Sequence, residues 1–270
     1  MRVADRSIGL GTAQFAFGKG TAEDSVATVR AALEAGVRLI DTALAYTRPG
    51  VESYAERLVA VALRGKTSDH PLVATKGGHW RDGERFPVDG RPEAIRAHCE
   101  ISLRTLEADR IDLYFLHHVD PAVPLEDSVG ALDQLRREGK IAAIGLSNVT
   151  MAQLDVALAC ASIAAVQNRL SPGDPTDLPT ALACAERDVA YLAYAPFGGP
   201  SGKLPAAVHA VARRRGVSVQ RVALAWLHSQ SPNIVPLVGA SRPGSIRDSA
   251  ASLGLDNEDL QDLTAVGRRC

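Results

Sequence analysis

Asp41, Tyr46, Lys76 and His117 have the types and spacing that proton transfer needs. Asp41, Lys76 and His117 each close a short apolar run, and Tyr46 follows Asp41 by five residues. A phenol is a poor acid at neutral pH, with a reference pKa near 10. An ammonium about 4 Å away would favour the phenolate by roughly 4 kcal/mol at an effective dielectric of about 20. At about 1.4 kcal/mol per unit, that is roughly three pKa units. A tyrosine so placed would give up a proton near pH 7. Asp41 would hold Lys76 charged and in place, and His117 would orient a carbonyl oxygen or share the proton. The set suits protonation of an alkoxide as hydride reaches its carbon.

Such chemistry needs four side chains on one surface, and the patterning of the chain supplies a scaffold for it. Short apolar runs suited to strands alternate with Ala- and Leu-rich helical stretches. The strand candidates are Ser7–Gly11, Arg38–Asp41, Leu72–Thr75, Ile111–Leu116, Ile141–Leu146, Ala164–Gln167, Ala190–Ala193 and Ile234–Val238. Most are continuously apolar, as in parallel strands buried on both faces. The helix candidates are Glu23–Ala35, Tyr54–Leu63, Pro92–Leu106, Leu125–Glu138, Met151–Ala159, Leu178–Arg187, Ala206–Arg214, Val219–Ser229, Ser245–Leu253 and Glu258–Val266. Gly36, Gly65 and Gly139 stand where helices stop, and Pro92 with Glu93 suits a helix start. Asn148 and Thr150 are both candidate caps for the helix that follows them. Even strand spacing and the absence of a GxGxxG after the first strand favour a single-domain α/β (βα)8 TIM barrel over residues 1–270. In that fold, active residues gather at the C-terminal strand ends. Side chains alternate along a strand. If Leu39, Ala74 and Phe115 point inward, so do Asp41, Lys76 and His117.

Composition narrows the classes. In 270 residues, 46% are hydrophobic and 23% charged, which excludes a disordered chain. Lys plus Arg is 30 and Asp plus Glu is 31, so the net charge is −1 and gives no global attraction to nucleic acid or anionic membrane. Cys99, Cys160, Cys184 and Cys270 form no CxxC pair and read as free thiols of a reducing cytoplasm. Met1 to Leu10 carries no apolar leader segment. The longest apolar run, Val156 to Val166, is interrupted by Ser162 and is too short to span a membrane.

Eight segments in order resemble the aldo-keto reductases over essentially the whole chain. They are GLGTAQF (Gly9–Phe15), GVRLIDTALAY (Gly36–Tyr46), VATK (Val73–Lys76), DLYFLHH (Asp112–His118), GKIAAIGLSN (Gly139–Asn148), VQNRLS (Val166–Ser171), AYAPFG (Ala193–Gly198) and VPLVGASRP (Val235–Pro243). The resemblance implies an NAD(P)-dependent carbonyl reductase in which Asp41, Tyr46, Lys76 and His117 match the catalytic tetrad. It further implies that Ser147, Asn148 and Gln167 hold the nicotinamide carboxamide and that Tyr194 stacks on its ring. Ala195, Pro196, Phe197, Gly198 and Lys203 match the pyrophosphate loop, with Ala195 where relatives often carry Ser. Gly11, Thr12 and Gly239 lie in the matching strand-end segments. Ser241 and Arg242 match the region that grips the adenosine 2′-phosphate, and a guanidinium suits a phosphate. NADP(H) is therefore the expected cofactor, with NAD(H) as the alternative. Ser245, Asp248 and Ser249 match adenosine contacts, where many relatives carry Arg or Gln, then Glu and Asn. After Tyr46, many relatives run Gly-x-Gly-x-Ser-Glu, whereas this chain has Thr-Arg-Pro-Gly-Val-Glu-Ser.

Phe15, Phe17, His79 and Trp80 are candidates for the substrate pocket. His117 and His118 are neighbours and so are expected on opposite faces, with His118 a hydrogen-bonded structural residue. No metal site is expected. Arg213, Arg214 and Arg215 read as a solvated helix end favoured by the dipole. The expected protein is a cytoplasmic oxidoreductase with a small-molecule carbonyl or alcohol substrate, and with neither nucleic acid nor membrane as partner. Two other readings stay open: an NAD-linked sugar or alcohol dehydrogenase of the same fold, and a nucleotide-binding redox-sensing regulatory subunit with little turnover.

Overall fold

A computed structural model describes residues 7–65, 70–199 and 202–264. Its elements run β1 (Gly9–Gly11), α1 (Ala13–Phe17), α2 (Ala22–Glu34), β2 (Leu39–Asp41), α3 (Tyr54–Leu63), β3 (Leu72–Gly77), α4 (Pro92–Leu106), β4 (Leu113–Leu116), α5 (Leu125–Arg137), β5 (Ile144–Ser147) and α6 (Met151–Cys160). They continue β6 (Ile163–Arg169), α7 (Leu178–Glu186), β7 (Ala190–Tyr194), α8 (Ala206–Arg215), α9 (Val219–Gln230), β8 (Ile234–Gly239), α10 (Pro243–Ala250) and α11 (Asn257–Thr264). The strands close a barrel in sequence order, each parallel to its neighbours, with β1 paired to β8.

Both faces of the strands are buried, which explains their apolar runs. Leu39, Ala74, Leu113, Phe115, Ala165, Leu192, Val235 and Leu237 fill the barrel interior. Gly145 leaves room for Phe115, whose ring would lie 2.3 Å from a Cβ added there. The other strand face packs against the helices. Val29, Ile40, Val59 and Val73 belong to one such layer, and Ile95, Leu132, Leu146, Val166 and Trp226 to a second. Each fully buried Val, Leu or Ile contributes about 1.5–3 kcal/mol.

Local chemistry sets the helix ends. Thr21 and Asp24 form a capping box on α2, and Thr150 and Gln153 form one on α6. Thr150 is thus the α6 cap; Asn148 turns into the left-handed region at φ 57° and is used elsewhere. Gly36 and Gly139 take positive φ just past α2 and α5, a conformation open to glycine. β4 and β5 are shorter than expected because Ile111 and Ile141 pair only as an isolated bridge. α1 was not expected from the sequence. α10 is shifted toward the N-terminus, starting at Pro243. The end expected for the last helix, 265–266, lies outside the described residues, as do residues 1–6 of the leader reading and Cys270.

The arginine run is an exposed helix end in the last turn of α8, as expected, and two of its members are also ion-paired. Arg214 binds Asp259 at 2.6 Å and Asp262 at 2.7 Å, and Arg215 binds Asp256 at 2.6 Å and Asp259. These pairs fasten α11 to the last turn of α8, and Arg213, Arg214 and Arg215 all remain exposed. Among the described residues, no helix is long and apolar enough to cross a membrane. Cys99 and Cys184 are buried free thiols, and Cys160 is an exposed one.

Candidate active site

Strand parity delivers the polar residues. Leu39 and Ala74 face the barrel interior, so Asp41 and Lys76, two residues further along, face its mouth. Lys76 is completely buried. Its Nζ donates to Asp41 Oδ1 at 2.7 Å, to Asp41 Oδ2 at 2.8 Å and to the Thr42 carbonyl at 2.8 Å. All three ammonium protons are thereby used. Burial lowers the Lys76 pKa, and the charges of Asp41 and Glu56 oppose that shift.

Tyr46 lies beside this pair, with its ring centroid 5.1 Å from Lys76 Nζ. The His117 ring meets it edge-on, with centroids 5.7 Å apart. The expectation of a lowered phenol pKa is overturned. Burial pushes the Tyr46 phenol well above its ordinary range, and the negative charge of Asp41 adds to the effect. The physical reason is loss of water around the phenol first, and then the nearby negative charge of Asp41. Tyr46 therefore holds its proton throughout the neutral range. His117 is pushed well below its usual range by burial, then by Lys76, His79 and His118, so its imidazole is neutral.

His118 also departs from expectation. β4 ends at Leu116, so the pleat no longer separates the two histidines. Their rings stack 5.1 Å apart at 17° and both line the same cavity.

That cavity, of about 770 Å³, opens at the C-terminal strand ends. Gly11, Phe17, Asp41, Tyr46, His117, Ser147, Asn148, Gln167, Tyr194, Ala195, Pro196, Phe197 and Gly239 line it, all among the residues singled out in the sequence. Ala13, Gln14, His118, Gly199 and Leu237 join them. A linked polar wall forms one side. Ser147 Oγ donates to the Gln167 carbonyl at 2.9 Å. Asn148 Nδ2 donates to the His117 carbonyl at 3.0 Å, and Asn148 Oδ1 accepts from the Tyr194 hydroxyl at 2.8 Å. Gln167 Nε2 donates to Asp41 Oδ1 at 2.8 Å.

The loop after β7 turns sharply. Ala195, Gly198 and Gly199 all take positive φ, and Ala195 bears the strain of that region without being glycine. A side chain on Gly198 would come within 2.8 Å of the Gly202 backbone, so the loop folds tightly on itself. Arg169, at the end of β6, donates to the Gly198 carbonyl at 3.2 Å. Sequence reasoning missed that brace, although Arg169 sits within the quoted VQNRLS segment.

Other expected residues lie apart from the cavity lining. Thr12 is buried, and its backbone N–H donates to the Asp41 carbonyl at 2.9 Å. Lys203 is exposed. Arg242 is an exposed residue at the N-cap of α10, and Ser245 is exposed in its first turn. Ser249 is buried. Asp248 accepts from the Ser218 hydroxyl at 2.6 Å, which ties α10 to the start of α9. Two candidates for the substrate pocket are corrected. Phe15 is buried in the layer between barrel and helices with Val29 and Val59. Trp80 packs on His98 and lines a separate cavity of about 300 Å³ beside the loop after Tyr46. His79 and Phe17 do stand at the mouth, against His117 and Tyr46 respectively.

Glu56 was also missed. It is buried on α3 and accepts from Thr75 Oγ1 at 2.5 Å and from the Ser53 hydroxyl. Burial raises its pKa. Its signal was a lone carboxylate on the apolar face of that helix. Ser53, at the N-cap of α3, thus reaches Glu56 in the helix's first turn.

A family model described as the Aldo/keto reductase family matches residues 7–268. The chain belongs to the aldo/keto reductase family. An uncharacterized oxidoreductase of Schizosaccharomyces pombe is 29% identical over 251 residues, 91% of this chain and 80% of that one. Among solved structures, a glycerol dehydrogenase from Gluconobacter oxydans matches with a TM-score of 0.82 and 28% identity, covering 98% of this chain and 94% of its own. An aldo/keto reductase from Klebsiella pneumoniae, in complex with NADP and acetate, matches with a TM-score of 0.78 and 27% identity, covering 96% of this chain and 90% of its own.

Proposed function

We propose that this aldo/keto reductase transfers hydride between NADP(H) and an aldehyde, ketone or sugar carbonyl, with Tyr46 as the general acid. The observation that carries the reading is the buried Lys76–Asp41 pair beside Tyr46 at the mouth of the large cavity. A dinucleotide fits the residues that line it. The amide and hydroxyl wall of Ser147, Asn148 and Gln167 can pair with a carboxamide, and Tyr194 offers a ring face. The tight loop at Ala195–Gly199 exposes backbone to a pyrophosphate, and Arg242 and Ser245 stand at the start of α10, where anions are favoured.

Bound nicotinamide supplies the hydride. The protein supplies the rest. Neutral His117 can donate a hydrogen bond to the carbonyl oxygen and fix its direction. Tyr46 then gives its proton to that oxygen as negative charge builds there. A raised phenol still suffices, because an alkoxide is a strong base, about as basic as hydroxide. Lys76 and Asp41 hold the phenol's surroundings fixed, so little reorganisation is needed in the transition state. In the oxidative direction the same tyrosine would take the proton back. The alternative of a regulatory subunit would leave this arrangement without a task.

Calorimetric titration with NADPH and NADH side by side tests the cofactor assignment. NADPH should bind at least tenfold more tightly, and Arg242→Ala should remove most of that difference. A preference for NADH would overturn it and favour an NAD-linked alcohol dehydrogenase.

A further inference from the structure

The loops after β2 and β3 enclose a second cavity, of about 300 Å³. Thr47, Arg48 and Glu52 line it from the first loop, Trp80 and Arg81 from the second, and His98 from α4. It shares no lining residue with the large cavity. Its size lies at the lower end for small-molecule pockets, which run from about 300 to 1,000 Å³.

The tautomer of His98 is fixed by its surroundings. The Gly78 N–H donates to His98 Nδ1 at 3.1 Å, so the ring proton sits on Nε2. Burial lowers the His98 pKa, and the charge of Asp89 opposes that shift, so the ring is uncharged in the neutral range. The Trp80 ring packs on it with centroids 5.3 Å apart. Among the described residues, neither His98 Nε2–H nor the Trp80 indole N–H has a hydrogen-bond partner.

Arg81 is held in a fixed plane. Its Nε donates to the Gly83 carbonyl at 2.7 Å and its Nη1 to the Thr47 carbonyl at 2.9 Å. Its Nη2 reaches the Glu84 carboxylate at 3.0 and 3.1 Å. The Arg81 side chain is only 10% exposed, whereas that of Glu84 is 85% exposed. A carboxylate so far out in water contributes little to such a pair. A ligand carboxylate can replace it on the same nitrogen. Two other charged groups line the cavity. Arg48 lies over the Tyr54 ring and on the carbonyls of Phe15 and Gly20, with no carboxylate partner among the described residues. Glu52 is exposed. Two arginines against one glutamate leave the lining net positive.

We propose that this cavity is a second ligand site, for a small aromatic carboxylic acid whose ring stacks on Trp80 and whose carboxylate binds Arg81 in place of Glu84. His98 Nε2–H offers the second donor, and Leu44 and Ile101 supply apolar surface for the ring. The assignment does not depend on the reductase reading. Its place still bears on the active site. Arg81 Nη1 holds the carbonyl of Thr47, the residue after Tyr46, and Arg81 itself follows His79 by two positions. An occupant on Arg81 therefore sits at the joint between the loop that carries Tyr46 and the loop that carries His79.

The test titrates the full chain with benzoate, and with benzamide as the uncharged control. The chain has two tryptophans, and Trp226 is buried against the barrel, so a change in indole fluorescence reports on Trp80. Benzoate should bind with a dissociation constant of about 1 mM or tighter. Benzamide should bind at least about tenfold more weakly, and Arg81→Gln should weaken benzoate by a similar factor. Trp80→Phe should remove the fluorescence change. Glu84→Gln, at an exposed position, should tighten benzoate by at least about threefold, because it frees Arg81. No saturable binding of benzoate, by fluorescence or by calorimetry, would overturn the site. So would equal affinities for benzoate and benzamide, or a Glu84→Gln protein that binds benzoate no more tightly than the wild type. Binding that His117→Gln abolishes would put benzoate in the large cavity and overturn the site as well.

Discussion

Gln167 Nε2 and Lys76 Nζ donate to the same oxygen, Asp41 Oδ1, at 2.8 and 2.7 Å. The amide wall of the cavity and the buried ion pair thus share an atom. Gln167 comes from β6 and Lys76 from β3, across the barrel mouth, and Asp41 ties them together. A contact to the Gln167 amide in the cavity is felt directly at the carboxylate that holds Lys76.

The pair itself should be costly to break. Removing one partner of a buried ion pair typically costs about 3–5 kcal/mol, because the other charge is left unpaired. Lys76→Met should therefore lower the melting temperature by roughly 10 °C, at about 2–4 °C per kcal/mol for a chain near this size. The double variant Asp41→Leu with Lys76→Met should recover much of the loss. Thermal unfolding of the wild type, the two single variants and the double variant checks this; additive destabilisation would show that the two charges do not depend on each other.

The pH dependence follows from burial. His117 sits well below its usual range and the Tyr46 phenol well above its own, so neither changes charge between pH 6 and 8. Turnover of a neutral aldehyde under saturation should vary by less than about twofold across that window. A limb centred near pH 7 would show that one of them titrates there.

The α8–α11 clamp should give an acid transition. Burial alone would raise the Asp259 carboxyl, but Arg215 and Arg214 hold it down at about 2. A depressed carboxyl stabilises the fold above its unfolded pKa, near 3.9, and loses that contribution as pH falls through its folded value. Stability against urea should drop between about pH 4 and pH 2, and Asp259→Asn should be weaker at pH 7 with a smaller drop. An identical profile in the variant would remove the clamp from the account.

Much of the site was legible because strand parity is a counting rule. Once Leu39 and Ala74 face inward, Asp41 and Lys76 must follow, and no contact need be known. The rule failed two residues past the end of β4, where His118 is no longer pleated against His117. Loop direction is not written in residue types, so Phe15 and Trp80 could not be told from pocket residues. The acidity of Tyr46 was misjudged because it depends first on how deeply the phenol is buried, which residue spacing does not show. Asp248 looked available for a ligand but is taken by Ser218 30 positions away in the sequence.

The central claim is that Tyr46 is the proton donor rather than part of the cofactor's seat. Tyr46→Phe keeps the ring and removes the hydroxyl. Turnover of an aldehyde with NADPH should fall by at least about a thousandfold, within reach of what a positioned general acid contributes, while the NADPH dissociation constant changes by less than threefold. Retained turnover, or an equal loss of turnover and NADPH binding, would contradict the account.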